Sequence, residues 1–366
     1  MSSSPLAPQH VRDLAPYQGG KPIADLAREL NLDPASIIKL ASNENPQGLS
    51  SKAREAMLLA MDGLTRYPDD NGYALKAAIA RRFAVQPSQI VLGNGSNDIL
   101  ELAARIFVTP ADTVVYSQYA FAYYRLATQA AGARGLEVRA VEYGHDLGAM
   151  LAAIQPDTKL VFIANPNNPT GTLCRPGDVL EFLESCPPQV LVVLDEAYVE
   201  FLPPEKRSDT LALLQRFPNL LVCRTLSKAY GLAGLRIGFG IASPAVAELL
   251  NRVRRPFNVN ALAQAAAVAA LDDAEFLRET IRINTAGMQQ LTEAFIRLGI
   301  PFIPSHANFI TFHVGDGALL NQYMLEQGVI IRPLTNYGMR DSLRVSIGLP
   351  EENARFIAVL EAALGG

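Results

Sequence analysis

Apolar residues run almost without interruption through Leu160-Val161-Phe162-Ile163 and Val190-Leu191-Val192-Val193-Leu194. Runs of that length without polar alternation predict strands buried on both faces of a parallel sheet. Gln89-Ile90-Val91-Leu92, Thr113-Val114-Val115-Tyr116, Leu220-Leu221-Val222-Cys223 and Ile237-Gly238-Phe239-Gly240-Ile241 extend the series. Among them the spacing turns helical, over 50–64 (with Ser50 or Ser51 as N-cap), 98–107 and 121–131. The alternation from about Gly48 to Pro256 predicts an α/β unit: a mainly parallel sheet flanked by helices, with ligands at the carboxyl ends of the strands.

After Pro256 the rhythm changes. Helical patterns over 261–270 and 274–298 lead to a strand at 308–313, a helix at 318–327, a strand at 343–347 and a last helix at 351–364. That order predicts a smaller α+β domain. The first 45 residues hold too little apolar periodicity to stand alone and are expected to pack against it. The division expected is 48–256 for the large domain and 1–47 together with 257–366 for the small one.

Composition narrows the partners. With 32 Lys and Arg against 36 Asp and Glu, the chain has no basic footprint for nucleic acid or an anionic membrane. The opening Met1-Ser2-Ser3-Ser4-Pro5 lacks the basic and apolar regions of a signal peptide. The most apolar helical stretch, Ala261–Leu271, is mostly alanine and too short to span a bilayer. Cys174, Cys186 and Cys223 form no CxxC pair, which reads as reduced thiols in a cytoplasmic protein. His10, His145, His306 and His313 lack metal-ligand spacing, so no metal site is expected.

Four short segments carry the chemistry: Asn165-Pro166-Asn167-Asn168-Pro169-Thr170-Gly171, Asp195-Glu196-Ala197-Tyr198, Thr225-Leu226-Ser227-Lys228, and Arg236. Together they describe a site for pyridoxal phosphate (PLP). Lys228 is the candidate Schiff-base lysine, a primary amine held in place that later moves a proton. By itself it would read as a surface lysine in a strand-to-helix turn. Asp195 ends a buried run, where an unpaired carboxylate is costly and a pyridinium nitrogen would pair with it; capping the next helix is its other reading. Tyr198 and Asn168 are placed to reach the cofactor's phenolic oxygen.

Gly93-Asn94-Gly95-Ser96-Asn97, between a strand and a helix, offers backbone amides and a helix N-terminus to a phosphate. Thr225 and Ser227 add hydroxyls, and Arg236 adds a planar fork. Tyr119 follows the strand at 113–116, where it would either stack on the pyridine or pack in the core. Arg332 and Arg344 lie in or beside apolar strands and need anionic partners, either internal carboxylates or a substrate carboxylate or phosphate.

At these residues the chain resembles the fold-type I PLP-dependent aminotransferases and, in their class II subgroup, the histidinol-phosphate aminotransferase family. The likeness runs from Val11-Arg12-Asp13-Leu14-Ala15-Pro16-Tyr17 to the final helix. It rests also on Leu40-Ala41-Ser42-Asn43-Glu44-Asn45-Pro46, Arg66-Tyr67-Pro68, Thr225-Leu226-Ser227-Lys228-Ala229 and the Arg332 and Arg344 segments.

The resemblance implies these roles: Lys228 as the base, Asp195 on the ring nitrogen, Asn168 and Tyr198 on the phenolic oxygen, and Tyr119 stacked on the ring. It gives Ser96, Asn97, Thr225, Ser227 and Arg236 to the phosphate, joined by Tyr67 from a neighbouring subunit in a homodimer with shared sites. Tyr17, Arg332 and Arg344 would line the substrate's anionic end. Glu44 and Asn45 lie near the mouth of the site in such proteins. The segment Ala120-Phe121-Ala122-Tyr123-Tyr124, and Phe257 where a tyrosine is also seen, depart from the familiar pattern and are candidate substrate contacts.

The activity this implies is amino exchange between L-histidinol phosphate and 2-oxoglutarate, a step of histidine biosynthesis on small-molecule substrates. An aromatic or dual-specificity aminotransferase is the alternative, since pocket shape separates near-isosteres weakly. Further alternatives are a decarboxylase of a phosphorylated amino acid and a ligand-responsive regulator. The regulator would need a DNA-binding domain that the chain has no room for before Tyr17.

Overall fold

The computed structural model describes residues 6–365; the opening segment Met1–Pro5 lies outside them. Seven strands form the large sheet, in the spatial order Ile90–Gly93, Gly238–Ala242, Leu220–Thr225, Leu191–Asp195, Thr158–Ala164, Thr113–Ser117, Arg134–Val138. Gly238–Ala242 runs antiparallel to both neighbours and the other pairs are parallel. The sheet is therefore mainly parallel, as the apolar runs require.

Successive side chains of those runs enter opposite cores. Val161, Ile163, Val192 and Leu194 pack on one face of the sheet. Leu160, Phe162, Leu191 and Val193 pack on the other. Each such side chain removed from water contributes roughly 1.5–3 kcal/mol, which explains why no polar residue interrupts the runs. Arg134–Val138 escaped the sequence reading because it is an edge strand whose burial is only partial.

The alanine-rich helix Ala261–Leu271 packs on the helices Ser51–Ala60 and Tyr73–Phe83. Ala263, Ala266, Ala267 and Ala270 share a core with Leu75 and Ile79. Small side chains let this helix sit close against the helices that flank the large sheet.

Beyond it, Arg332–Leu334, Met339–Ser346, Phe309–His313 and Phe302–Ile303 form a second, antiparallel sheet. The long helix Ala274–Arg297 and the last helix Pro350–Gly365 pack together beside it, burying Leu291, Phe295, Phe356 and Leu360. Ile38–Lys39 pairs in parallel with Val329–Ile330, which fastens the N-terminal arm to this unit. Among the described residues no helix is long and apolar enough to cross a membrane.

Candidate active site

A cavity of about 360 Å³ opens at the carboxyl ends of the large sheet's strands, facing the small unit. Asp195, last residue of its strand, is 5% exposed at the cavity wall. Its Oδ2 accepts from the Tyr124 hydroxyl at 2.8 Å and its Oδ1 from the Ala197 amide at 3.2 Å. Burial still pushes the carboxyl up to about 6, against the pull of those hydrogen bonds. Tyr124 is fully buried and stacks on Phe162 with centroids 4.6 Å apart. Burial first, then the charge of Asp195, holds its phenol well above the ordinary range, so it remains a donor. Tyr124 thus holds Asp195 through its hydroxyl while also lining the cavity.

The neighbouring strand Leu220–Thr225 delivers Lys228 three residues past its end. The amine donates to the Ser42 carbonyl at 3.0 Å. Burial, and then the charge of Arg344, bring it down to about 8. Tyr198 is buried at 4% exposure, its ring edge-on to Phe309 and 6.0 Å from the Lys228 amine.

The anion cradle forms where Gly93-Asn94-Gly95 meets the helix Ser96–Phe107, whose first amides have no carbonyl behind them. Gly95 stands at φ 82°, and a Cβ there would collide with the Arg236 guanidinium. A Cβ at Gly238 would collide with the Ser96 amide. Only glycine permits this close approach. Arg236 donates to the Ala233 carbonyl at 3.1 Å and lies 3.5 Å from Ser227 Oγ. Thr225 Oγ1 accepts from the Ser227 amide, which leaves its own proton to donate. Ser96, Asn97, Thr225, Ser227 and Arg236 all line the cavity.

At the other end Arg332 and Arg344 are direct cross-strand partners. They are 9% and 6% exposed, and neither forms an ion pair among the described residues. Arg344 Nη1 donates to Asn168 Oδ1 at 2.5 Å and Nη2 to the Ala41 carbonyl at 2.8 Å, while its Nε has no protein partner. With its oxygen so engaged, the Asn168 amide nitrogen is the atom left to donate elsewhere. Arg332 donates to the Gln18 carbonyl at 2.6 Å and lies over the Tyr17 ring. Tyr17 is half exposed and edge-on to Phe121. Two unpaired guanidiniums opposite each other repel unless an anion joins them. The internal-carboxylate reading of the pair is thereby removed.

PLP, the group the sequence implies, suits this donor set. There is an anion cradle at one wall, a buried carboxylate at another and a low-pKa amine between them. Tyr119 does not line the cavity; its ring lies 5.8 Å from Tyr143 and packs near Leu334 and Met339. Phe121 lines it instead. The turn that follows Ser117 carries Tyr119 away before the helix Ala122–Ala130 begins, and this places Phe121 at the wall. Tyr67 is 82% exposed and lies outside this chain's cavity, stacked on Phe257 with centroids 4.6 Å apart. Asn43 and Tyr337 line the cavity and were not singled out beforehand. Asn43 stood within a quoted segment, but only the fold shows what it touches. Among the described residues no cluster of His, Cys, Asp or Glu could hold a metal ion.

The aminotransferase class I and II family profile matches residues 35–360. Histidinol-phosphate aminotransferase 2 of Ralstonia nicotianae is 60% identical over 361 residues, covering 98% of this chain and 96% of that protein. The histidinol-phosphate aminotransferase of Methylobacillus flagellatus is 60% identical over 358 residues, covering 98% and 97%. A crystal structure of the Sinorhizobium meliloti histidinol-phosphate aminotransferase in complex with pyridoxal-5'-phosphate has a TM-score of 0.89 at 27% identity, covering 99% of both chains. With the fold and the cavity already described, these matches make the chain a member of the class I and II aminotransferases and, among them, of the histidinol-phosphate aminotransferase family.

Proposed function

We propose that the chain transfers an amino group between L-histidinol phosphate and 2-oxoglutarate, giving imidazole-acetol phosphate and L-glutamate, with PLP as its cofactor. The observation that carries the substrate assignment is the Arg332–Arg344 pair, buried, unpaired and facing the cavity that holds Lys228. Phosphate and carboxylate both suit planar guanidinium forks, so one end of the cavity serves both substrates in turn.

PLP supplies, when bound, a carbonyl that condenses with amines and a protonated ring that draws electrons. The chain's residues do the rest. Ser96, Asn97, Thr225, Ser227 and Arg236 hold its phosphate, with Tyr67 of the partner subunit completing that shell. Asp195, kept in place by Tyr124, pairs with the ring nitrogen. Tyr198 and Asn168 donate to the phenolic oxygen. We assign the ring-covering position to Phe121 in place of Tyr119. Lys228 Nζ takes the proton from the substrate carbon and returns it, for which an amine brought down to about 8 by burial is suited. Tyr17, Arg332 and Arg344 hold the anionic end.

The reading extends to a cytoplasmic homodimer. Leu58, Leu59, Met61, Leu64, Tyr67 and Tyr73 expose apolar surface along one stretch of chain, as a subunit contact would. It also keeps the chain in two units, with the N-terminal arm and the segment after 272 closing over the large one.

Titration of the PLP-loaded protein with histidinol phosphate and, separately, with phenylalanine tests the assignment. Loss of the visible cofactor band is expected at far lower histidinol phosphate concentration. An equal or stronger response to phenylalanine would make the enzyme an aromatic or dual-specificity aminotransferase. Carbon dioxide release without an amino acceptor would make it a decarboxylase.

A further inference from the structure

Asn43 is 2% exposed and borders the cavity, yet it holds a left-handed backbone conformation with φ 54°. In the structure its hydrogen bonds run in one set of directions. The Asn43 backbone amide donates to Ser346 Oγ at 2.8 Å, because an amide can only donate. Ser346 Oγ, accepting there, sends its own proton to Asn43 Oδ1 at 3.1 Å. A reversed amide would take that acceptor away from the buried Ser346 proton, which favours this orientation. Asn43 Nδ2 must then donate to the Tyr198 hydroxyl, 2.9 Å away. Asn308 Nδ2 donates to the Asn43 carbonyl at 3.0 Å and ties the same residue to the small sheet.

The consequence falls on Tyr198. A phenol has one proton to give. Since Tyr198 accepts from Asn43, that proton is free to point away, into the cavity. Had the Asn43 amide been reversed, its oxygen would have taken the proton and the cavity would face a lone pair. Tyr198 cannot turn to compensate, because its ring is packed edge-on against Phe309, the cross-strand partner of Ser346. The charged and titratable groups facing it are Arg344, Asp195, Tyr337 and Lys228. Burial raises the phenol far above its ordinary range, so it stays protonated and able to donate.

We infer that Asn43 is a positioning residue, locked by Ser346, that sets Tyr198 as a one-way donor toward the bound cofactor. The inference rests on the reading that Tyr198 faces the cofactor's phenolic oxygen. It joins the N-terminal arm, the small sheet and the large unit at one proton.

The readout is the pH midpoint of the bound cofactor's visible absorbance. A hydrogen bond donated to an oxyanion lowers its basicity. The proton shared between that oxygen and Lys228 Nζ then leaves at lower pH, and losing the directed donor raises the midpoint. Asn43→Gly keeps the left-handed backbone and removes the side chain. It is expected to raise the midpoint by about one pH unit. Ser346→Ala frees the amide to reverse and should raise the midpoint in the same direction.

The deciding comparison repeats both substitutions in a Tyr198→Phe background, where no further shift is expected. An equal shift with and without the Tyr198 hydroxyl would reduce Asn43 to a structural residue and overturn the inference. So would a midpoint that moves in Tyr198→Phe but in neither Asn43→Gly nor Ser346→Ala, which would leave the Tyr198 assignment intact. A midpoint unmoved even in Tyr198→Phe would remove the assignment of Tyr198 and the inference together.

Discussion

Asp195 and Lys228 stand at the ends of adjacent parallel strands in the middle of the large sheet, with packed cores on both faces. Arg332 and Arg344 stand on paired antiparallel strands of the small sheet, beside an N-terminal arm whose Tyr17 is 51% exposed. The first pair is fixed by burial that also perturbs both groups, lifting the carboxyl to about 6 and lowering the amine to about 8. The second pair is buried too, but it is held mostly through side-chain bonds to carbonyls and an amide. On the proposed assignment, proton chemistry is seated between two packed cores, and recognition where a second sheet and the N-terminal arm meet them. On that assignment one base would serve two substrates that differ in side chain but share an anionic end.

The strongest way to break the comparison is at Lys228. Lys228→Ala is expected to lower turnover by at least about 10⁴-fold, measured as steady-state kcat. Near-normal activity would remove the amine from the mechanism. Asp195→Asn keeps the shape and loses the charge. Its expected effect is a kcat fall of about 10²-fold or more with little change in KM. A change confined to KM would place Asp195 on the recognition side.

The arginines sharpen the comparison because they are not equivalent. Arg332→Ala is expected to raise KM for histidinol phosphate by about 10-fold while kcat stays near its starting value. Arg344 also holds Asn168 by its oxygen. Arg344→Ala should therefore raise KM by about 10–100-fold and lower kcat as well. Identical kinetics for the two variants would show that the Arg344–Asn168 bond carries nothing to the cofactor end.

What the sequence made legible follows the same division. Strands buried on both faces announce themselves by uninterrupted apolar runs, and Asp195, Lys228, Arg236 and the glycine turn have spacing that no ordinary surface segment needs. The antiparallel direction of Gly238–Ala242 was hidden, because a glycine-interrupted apolar run reads alike in either direction. Tyr119 and Phe121 are both aromatics just past a strand, and only the turn geometry separates the one that lines the cavity from the one that does not. Tyr124 and Asn43 act on groups 71 and 155 positions away along the chain. No local pattern marks such partners. The alanine helix was legible as closely packed, but small side chains do not show against what a helix packs.

The smallest expected effect tests whether the two ends are separate at all. The Lys228 amine is lowered first by burial and second by the positive charge of Arg344. Below its midpoint near 8 the amine is protonated and unreactive, and above it the amine is a nucleophile. Removing a nearby cation favours the protonated amine, so the cofactor-free Arg344→Gln variant should titrate higher than the unaltered chain. The shift should be smaller than the part due to burial, which the substitution leaves in place. The pH dependence of labelling Lys228 with a small amine-reactive reagent measures it. A midpoint unchanged in Arg344→Gln would mean that water between the two groups screens them, and that anion binding at the arginines does not tune the base. A raised midpoint would mean that each substrate, on neutralising Arg344, raises the basicity of the amine that takes its proton.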